Sequence, residues 1–273
     1  MKFAFSTNAY RNHSIEDAID SIHSVGYSAI ELMCDIPHAF PPLTTIKIES
    51  IKKKLRKNNM EISNLNGFML CALGDFHHPS WIEKNKEFRQ QRIEHTKNCI
   101  NLARTLNVKT VSTEPGGPIE KLSEKEALDI FEEGINQVLP LAEKNNVQIL
   151  IEPEPGLLIE NSSQFLNFIS RFKTKNLGLN FDIGHFFCVN ENPSIVMKEL
   201  KDYIAHIHLE DISKSKIHEH LIPGTGSINF ESILEAIYEI NYKGYVTVEL
   251  YPYLENPEQA AKAALSYLQS INL

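Results

Sequence analysis

Short apolar runs alternate along the chain with longer stretches in which apolar residues recur every three to four positions. The runs fall at 3–7, 29–33, 61–65, 110–113, 148–152, 177–181, 205–209 and 245–250 and predict eight β-strands. Between them, helical spacing predicts α-helices at 15–25, 45–58, 81–106, 124–145, 162–171, 193–200, 230–240 and 257–268. Capping residues support three of these starts: Ser14 precedes IEDA, Ser123 precedes EKEA and Asn229 precedes FESI. Eight strand-then-helix units of about 34 residues match the size of βαβ repeats. Strict alternation predicts parallel strands with right-handed crossovers. A parallel sheet is covered on both faces, so its strands read as nearly continuous apolar runs, as ILIE and VTVEL do. An open doubly wound sheet competes, but no GxGxxG turn follows the first strand, which favours closure. The expected fold is α/β, a single (β/α)8 TIM barrel spanning 1–273 as one domain, because no linker or composition break divides the chain. The long third unit, 67–106, is expected to carry an extra loop over the barrel mouth.

Composition narrows the partners. Of 273 residues, 42% are hydrophobic and 23% charged, enough for a large core, and the formal net charge is −8. An acidic chain repels phosphate backbones and anionic membranes, so neither nucleic acid nor membrane is expected as a partner. Cys34, Cys71, Cys99 and Cys188 are scattered and form no CxxC pair, which argues against a disulfide framework. The N-terminal MKFAFSTNAYRNHS turns polar too soon for a signal peptide, and a cytoplasmic location is expected.

The chemistry gathers at one end of the predicted strands. Asn8, Glu31, Asn66, Glu114, Glu152, Asp182, His208 and Glu249 all fall at C-terminal strand ends. In a closed barrel these ends converge on one mouth, the face that holds the active site. Carboxylates crowded there repel one another unless a cation joins them. Glu152 in ILIEPEP, Asp182 in LNFDIGH, His208 in HIHLED and Glu249 in VTVELY lie about one unit apart and would come from strands five to eight. Three carboxylates and an imidazole suit one divalent ion, Mn2+, Mg2+, Co2+ or Zn2+. Taken singly, each has a plainer role: a strand-end acid caps the next helix, and a lone histidine packs.

The segments IEPEP, FDIGH, HIHLED, HLIPGTGSINF and YVTVEL, with FAFSTNAY and HSVGYSAIEL upstream, resemble the xylose-isomerase-like barrel superfamily of sugar isomerases and epimerases. Endonuclease IV-type repair enzymes share that superfamily. The resemblance implies that Glu152, Asp182, His208 and Glu249 are the metal ligands and that Glu152 and Glu249 are the acid–base pair on a sugar or polyol ketone. It also implies that His185 binds substrate. The expected reaction is proton abstraction next to a carbonyl, giving epimerisation or aldose–ketose isomerisation. Dehydration of an inosose needs the same first step and stands as the alternative. A multi-metal phosphodiesterase and a catalytically silent barrel subunit stand further off. Related barrels often pair, so a homo-oligomer is also considered.

One departure stands out. Where epimerases of the superfamily place an arginine after the metal-binding histidine, this chain reads DISKSKIHEH. His218 and His220 in that segment, with His185, leave room for a second metal; His220 is otherwise a substrate contact. Glu114 in STEPGGP and Asn66 in NGFML occupy positions where the repair enzymes would offer histidine, and both are expected to touch substrate. GDFHHPSW places His77, His78 and Trp81 after strand three, where Trp81 would stack on a sugar from a lid or pack on the rim. The PGTG loop, 223–226, is read as an anion seat or a simple turn.

Overall fold

The barrel closes through eight parallel strands in sequence order, β1 (Lys2–Ser6), β2 (Ala29–Met33), β3 (Glu61–Asn66), β4 (Thr110–Thr113), β5 (Gln148–Ile151), β6 (Leu177–Asp182), β7 (Ile204–Leu209) and β8 (Tyr245–Val248). The structure is a computed structural model and describes residues 1–271. Pairing of β1 with β8, Phe5 opposite Val248, completes the cylinder. The helices are α1 (Ile15–Val25), α2 (Thr45–Lys57), α3 (Lys86–Leu106), α4 (Glu124–Asn145), α5 (Ser162–Ile169), α6 (Ile183–Cys188), α7 (Pro193–Glu199), α8 (Phe230–Glu239) and α9 (Pro257–Ser270). Their starts follow local chemistry. Ser14 accepts from the Asp17 amide, and Ser123 forms a reciprocal capping box with Glu126. Gly26 ends α1 with φ 114°, a left-handed conformation that suits glycine.

One apolar core fills the layer between strands and helices, with Phe5, Ile30, Phe131, Phe165, Phe168 and Phe181 fully buried. The inside of the cylinder is different, because polar side chains fill its centre. Asn64 donates to Glu31 Oε1 (2.9 Å) and Ser112 Oγ (2.9 Å), while His206 bridges Asn180 Oδ1 and Thr247 Oγ1, both at 2.9 Å. All are buried, and these bonds give most of their polar atoms partners, Asn64 Oδ1 excepted.

Beyond shifts of one or two residues at element ends, two differences from expectation bear on the site. The third helix begins at Lys86, not at 81, because residues 67–85 form a loop tied to the barrel by side-chain bonds, and Asn85 caps the helix from the Glu87 amide (2.8 Å). A short helix, α6, follows β6 directly, which the sequence pattern did not predict, since IGHFFC is too brief to show periodicity. No helix among the described residues is long and apolar enough to cross a membrane.

Candidate metal centre

Strand register brings the predicted quartet together. Asp182 ends β6 directly opposite His208 on β7. Glu152 follows β5, its amide bonded to Thr113 O (3.2 Å), and Glu249 follows β8, its amide bonded to Leu209 O (3.0 Å). One donor atom from each of Glu152, Asp182, His208 and Glu249 lies within 4.8 Å of the others, and all four residues are buried.

The centre fits a divalent cation on three grounds. His208 Nδ1 lies 2.8 Å from Glu152 Oε1, 3.7 Å from Asp182 Oδ2 and 3.5 Å from Glu249 Oε2, so one ring nitrogen faces all three carboxylates. Its other nitrogen, Nε2, sits 2.8 Å from Glu31 Oε1, the outer carboxylate that fixes the ring of a metal-binding histidine. Glu152 Oε2 and Asp182 Oδ2 are buried without a hydrogen-bond partner, lone pairs that an ion would satisfy.

The local field shows the same crowding. Burial opposes a charge on His208, yet Glu249, Glu31 and Glu152 outweigh it and hold its pKa well above the ordinary imidazole value. Burial, aided by Glu152, Glu31 and Asp182, outweighs the opposing His208 and holds Glu249 well above the usual carboxylate range. Glu210, buried beside Asp182, is pushed up for the same reasons, and so is Glu154. Glu31 goes the other way, to about 2, because His208 and His206 overcome the cost of burying it. Acids outnumber the groups that can balance them, which is the condition for cation binding.

Above the quartet opens a pocket walled by Glu152, Glu249, Glu154, His185, His218 and His220, with Asn8, Asn66, Phe68, Met69, Phe76 and Tyr251 around it. Asn8 and Asn66 both donate to Glu249 Oε1, at 2.8 and 3.2 Å. His218 Nε2 lies 3.1 Å from His220 Nε2, and the three histidines offer nitrogens within 4.8 Å of one another.

The sequence profile of the family described as xylose isomerase-like TIM barrel matches residues 19–271. The chain belongs to this family. An inosose dehydratase from Mesomycoplasma hyopneumoniae is 25% identical to this chain, the match covering 94% of this chain and 89% of that one. A fructoselysine 3-epimerase from Shigella flexneri is 24% identical, with 99% and 98% covered. In three dimensions, a xylose isomerase-like fold is shared with the IOLI protein, solved with a bound zinc atom, at TM-score 0.81 and 20% identity over 97% of this chain and 96% of that one.

Of the expected site residues, Glu152, Asp182, His185, His208, His218, His220, Glu249 and Asn66 gather at this mouth. Two belong neither to the quartet nor to the pocket lining. Trp81 is 1% exposed and lies against Phe131, its indole N–H donating to Thr113 Oγ1 (2.9 Å), so it is a rim anchor and not a sugar-stacking lid. Glu114 sits behind the wall, where it accepts from the Trp81 amide (3.2 Å) and lies 3.5 Å from Arg92 Nε. Burial pushes Glu114 up to about 7, because Arg92 donates mainly to the carbonyls of Pro79, Gly67 and Phe68 and offsets only part of the cost.

Sequence reading missed Glu154, Glu210 and His206. Their signal was present: alternation along a strand puts His206 on the same inward face as His208, with Glu210 next in that series. The PGTG amides prove to be occupied from within, since Gly224, Gly226 and Ile228 N–H groups donate to the Asp211 carboxylate at 3.0, 2.7 and 3.0 Å.

Proposed function

We propose that this protein is a divalent-metal-dependent isomerase or epimerase of a sugar or related polyol ketone. The observation that carries the reading is one pocket lined by Glu152 and Glu249, two carboxylates of the buried Glu152–Asp182–His208–Glu249 quartet. When bound, a divalent ion supplies Lewis-acid stabilisation of the charge that develops on the carbonyl oxygen. Glu152 and Glu249 work as the acid–base pair: one carboxylate removes the proton next to the carbonyl, and the other returns a proton to the same or the neighbouring carbon. Asn8 and Asn66 orient Glu249 through the amide hydrogen bonds on Oε1, leaving Oε2 toward the centre. His185 and His220 supply polar contacts for substrate hydroxyls.

The test is incorporation of solvent deuterium into a panel of ketoses and inososes with added Mn2+ or Co2+, together with metal analysis of the purified protein. Exchange with about one ion per chain is expected, and Glu249→Gln or Glu152→Gln should lower the rate by at least about 100-fold. No exchange by the wild type, or full exchange by both variants, would overturn the proposal. The inosose dehydratase relative favours one alternative outcome at the same site, loss of a β-hydroxyl after the same proton abstraction. A product lighter by one water identifies it.

A further inference from the structure

We infer that Cys34 and Cys99 form a peroxide-reactive dithiol beneath the outer wall of the barrel, closing reversibly to a disulfide with His95 as the proton carrier. No residue that lines the mouth pocket takes part, and the inference is independent of the isomerase reading.

Three observations lead to it. The first is the meeting of the two thiols. Cys34 follows β2, and its amide donates to Asn66 O (2.7 Å). Cys99 lies on the buried face of α3, its sulfur over the residue after Asn66: a Cβ at Gly67 would stand 3.4 Å from Cys99 Sγ. The Cys34 thiol donates a hydrogen bond to the Cys99 sulfur. Both cysteines are wholly buried, and both are free thiols.

The second is the charge around Cys99. His95, one turn earlier on α3, holds Nε2 3.5 Å from the Cys99 sulfur. Arg92, nearly another turn back, keeps Nη2 buried without a hydrogen-bond partner. Burial alone would hold the thiol protonated, but the bond from Cys34, then His95 and Arg92, outweigh it and bring Cys99 down to about 5. Burial and the same bond push Cys34 up, so the pair divides into an attacking sulfur and a thiol that resolves the product.

The third is the approach. A surface groove between Phe40, Pro41, Pro42 and Leu73 ends on His95. The ring stacks on Phe40, centroids 5.6 Å apart, and its Nδ1 is buried without a partner, a polar atom left for a small polar molecule. His95 thus stands between the groove and the Cys99 sulfur.

With hydrogen peroxide as oxidant the chemistry balances. The Cys99 sulfur attacks one peroxide oxygen and the O–O bond breaks. The thiol proton passes by way of His95 to the departing hydroxide, leaving a sulfenic acid and one water. The Cys34 sulfur then attacks the Cys99 sulfur, the S–O bond breaks, and the Cys34 proton leaves with that hydroxide as a second water. Two thiols are oxidised and one peroxide is reduced.

The test treats the full chain with hydrogen peroxide at pH 7, quenches with an alkylating agent and maps the four cysteines by peptide mass spectrometry. The expected product is a Cys34–Cys99 disulfide that dithiothreitol reverses. It should form at least about tenfold faster than Cys71 or Cys188 is oxidised, although those two are less buried, because burial and nearby carboxylates push their thiols up. Cys34→Ser should stop the reaction at a Cys99 sulfenic acid that dimedone traps. His95→Gln should slow oxidation of Cys99 at least about fivefold and move the midpoint of its pH–rate profile upward. Oxidation led by Cys71 or Cys188, a Cys99 that remains a thiol, or a bond that forms no faster in the folded chain than in urea would overturn the inference. An unchanged rate and midpoint in His95→Gln would overturn the role given to His95.

Discussion

Asp182 holds two roles on two oxygens. Its Oδ1 accepts from the His185 amide at 2.8 Å and starts α6, while Oδ2 stays free for the centre. The plain reading of a strand-end acid as a helix cap is therefore correct, and it leaves the second oxygen available to a metal ion. Glu31 shows what strand-end position alone does not tell. It stands in the same series as the quartet but bonds His208 Nε2 and the amides of Asn64 and Asn66, so it orients His208. Glu31→Gln should weaken metal affinity about 10- to 100-fold in a chelator competition titration, with the fold kept by circular dichroism; unchanged affinity would refute that role. His38 is a separate case at the rim. Burial pushes its pKa down to about 4, although Tyr10 O and His13 O lie 3.1 and 3.3 Å from Nε2. The unfolded chain binds this proton near pH 6.5, the folded one only near 4, so stability present above 6.5 is lost as pH falls between those values. The loss reaches about 3 kcal/mol. His38→Gln should flatten the acid limb of urea midpoints by a comparable amount, and an identical pH profile in the two proteins would contradict it. The clustering of Glu152, Asp182, His208 and Glu249 was legible in sequence because each ends an apolar run. Glu154 was not, because two residues past a strand its direction depends on the loop.

At the scale of elements, the eight strands were readable from apolar runs, and helix starts from Ser14, Ser123 and Asn229. The loop between β3 and α3 was not, because its order comes from distant partners. Arg92 on α3 donates to Gly67 O, Phe68 O and Pro79 O, and Asp35 accepts from the Cys71 and Ala72 amides at 2.6 and 3.0 Å. Pinned at these points, the segment carries Phe68, Met69 and Phe76 into the pocket wall. A helical spacing that runs on through Trp81 says nothing of such bonds. Arg92→Met leaves three buried carbonyls and Glu114 without their partner and should cost about 3–5 kcal/mol in urea unfolding. A cost below about 1 kcal/mol would show that the loop is held by other means.

An ion at the candidate centre would be coupled to the whole fold, since the four side chains around it come from the ends of four strands. At 100 times its dissociation constant, a divalent ion should stabilise the folded state by about 2.7 kcal/mol. For a chain of this size that is a rise of roughly 5–10 °C in Tm. Asp182→Asn should abolish the rise, and a wild-type Tm indifferent to Mn2+, Co2+ and Zn2+ would count against a metal centre. The seam where β1 meets β8 has its own consequence. Asn8, near the start, holds Glu249, near the other end, through a 2.8 Å bond across that seam. During synthesis the pocket therefore has no floor until the last strand has left the ribosome. A chain that ends before β8 lacks Glu249, so the four side chains cannot meet in the finished arrangement before the cylinder shuts.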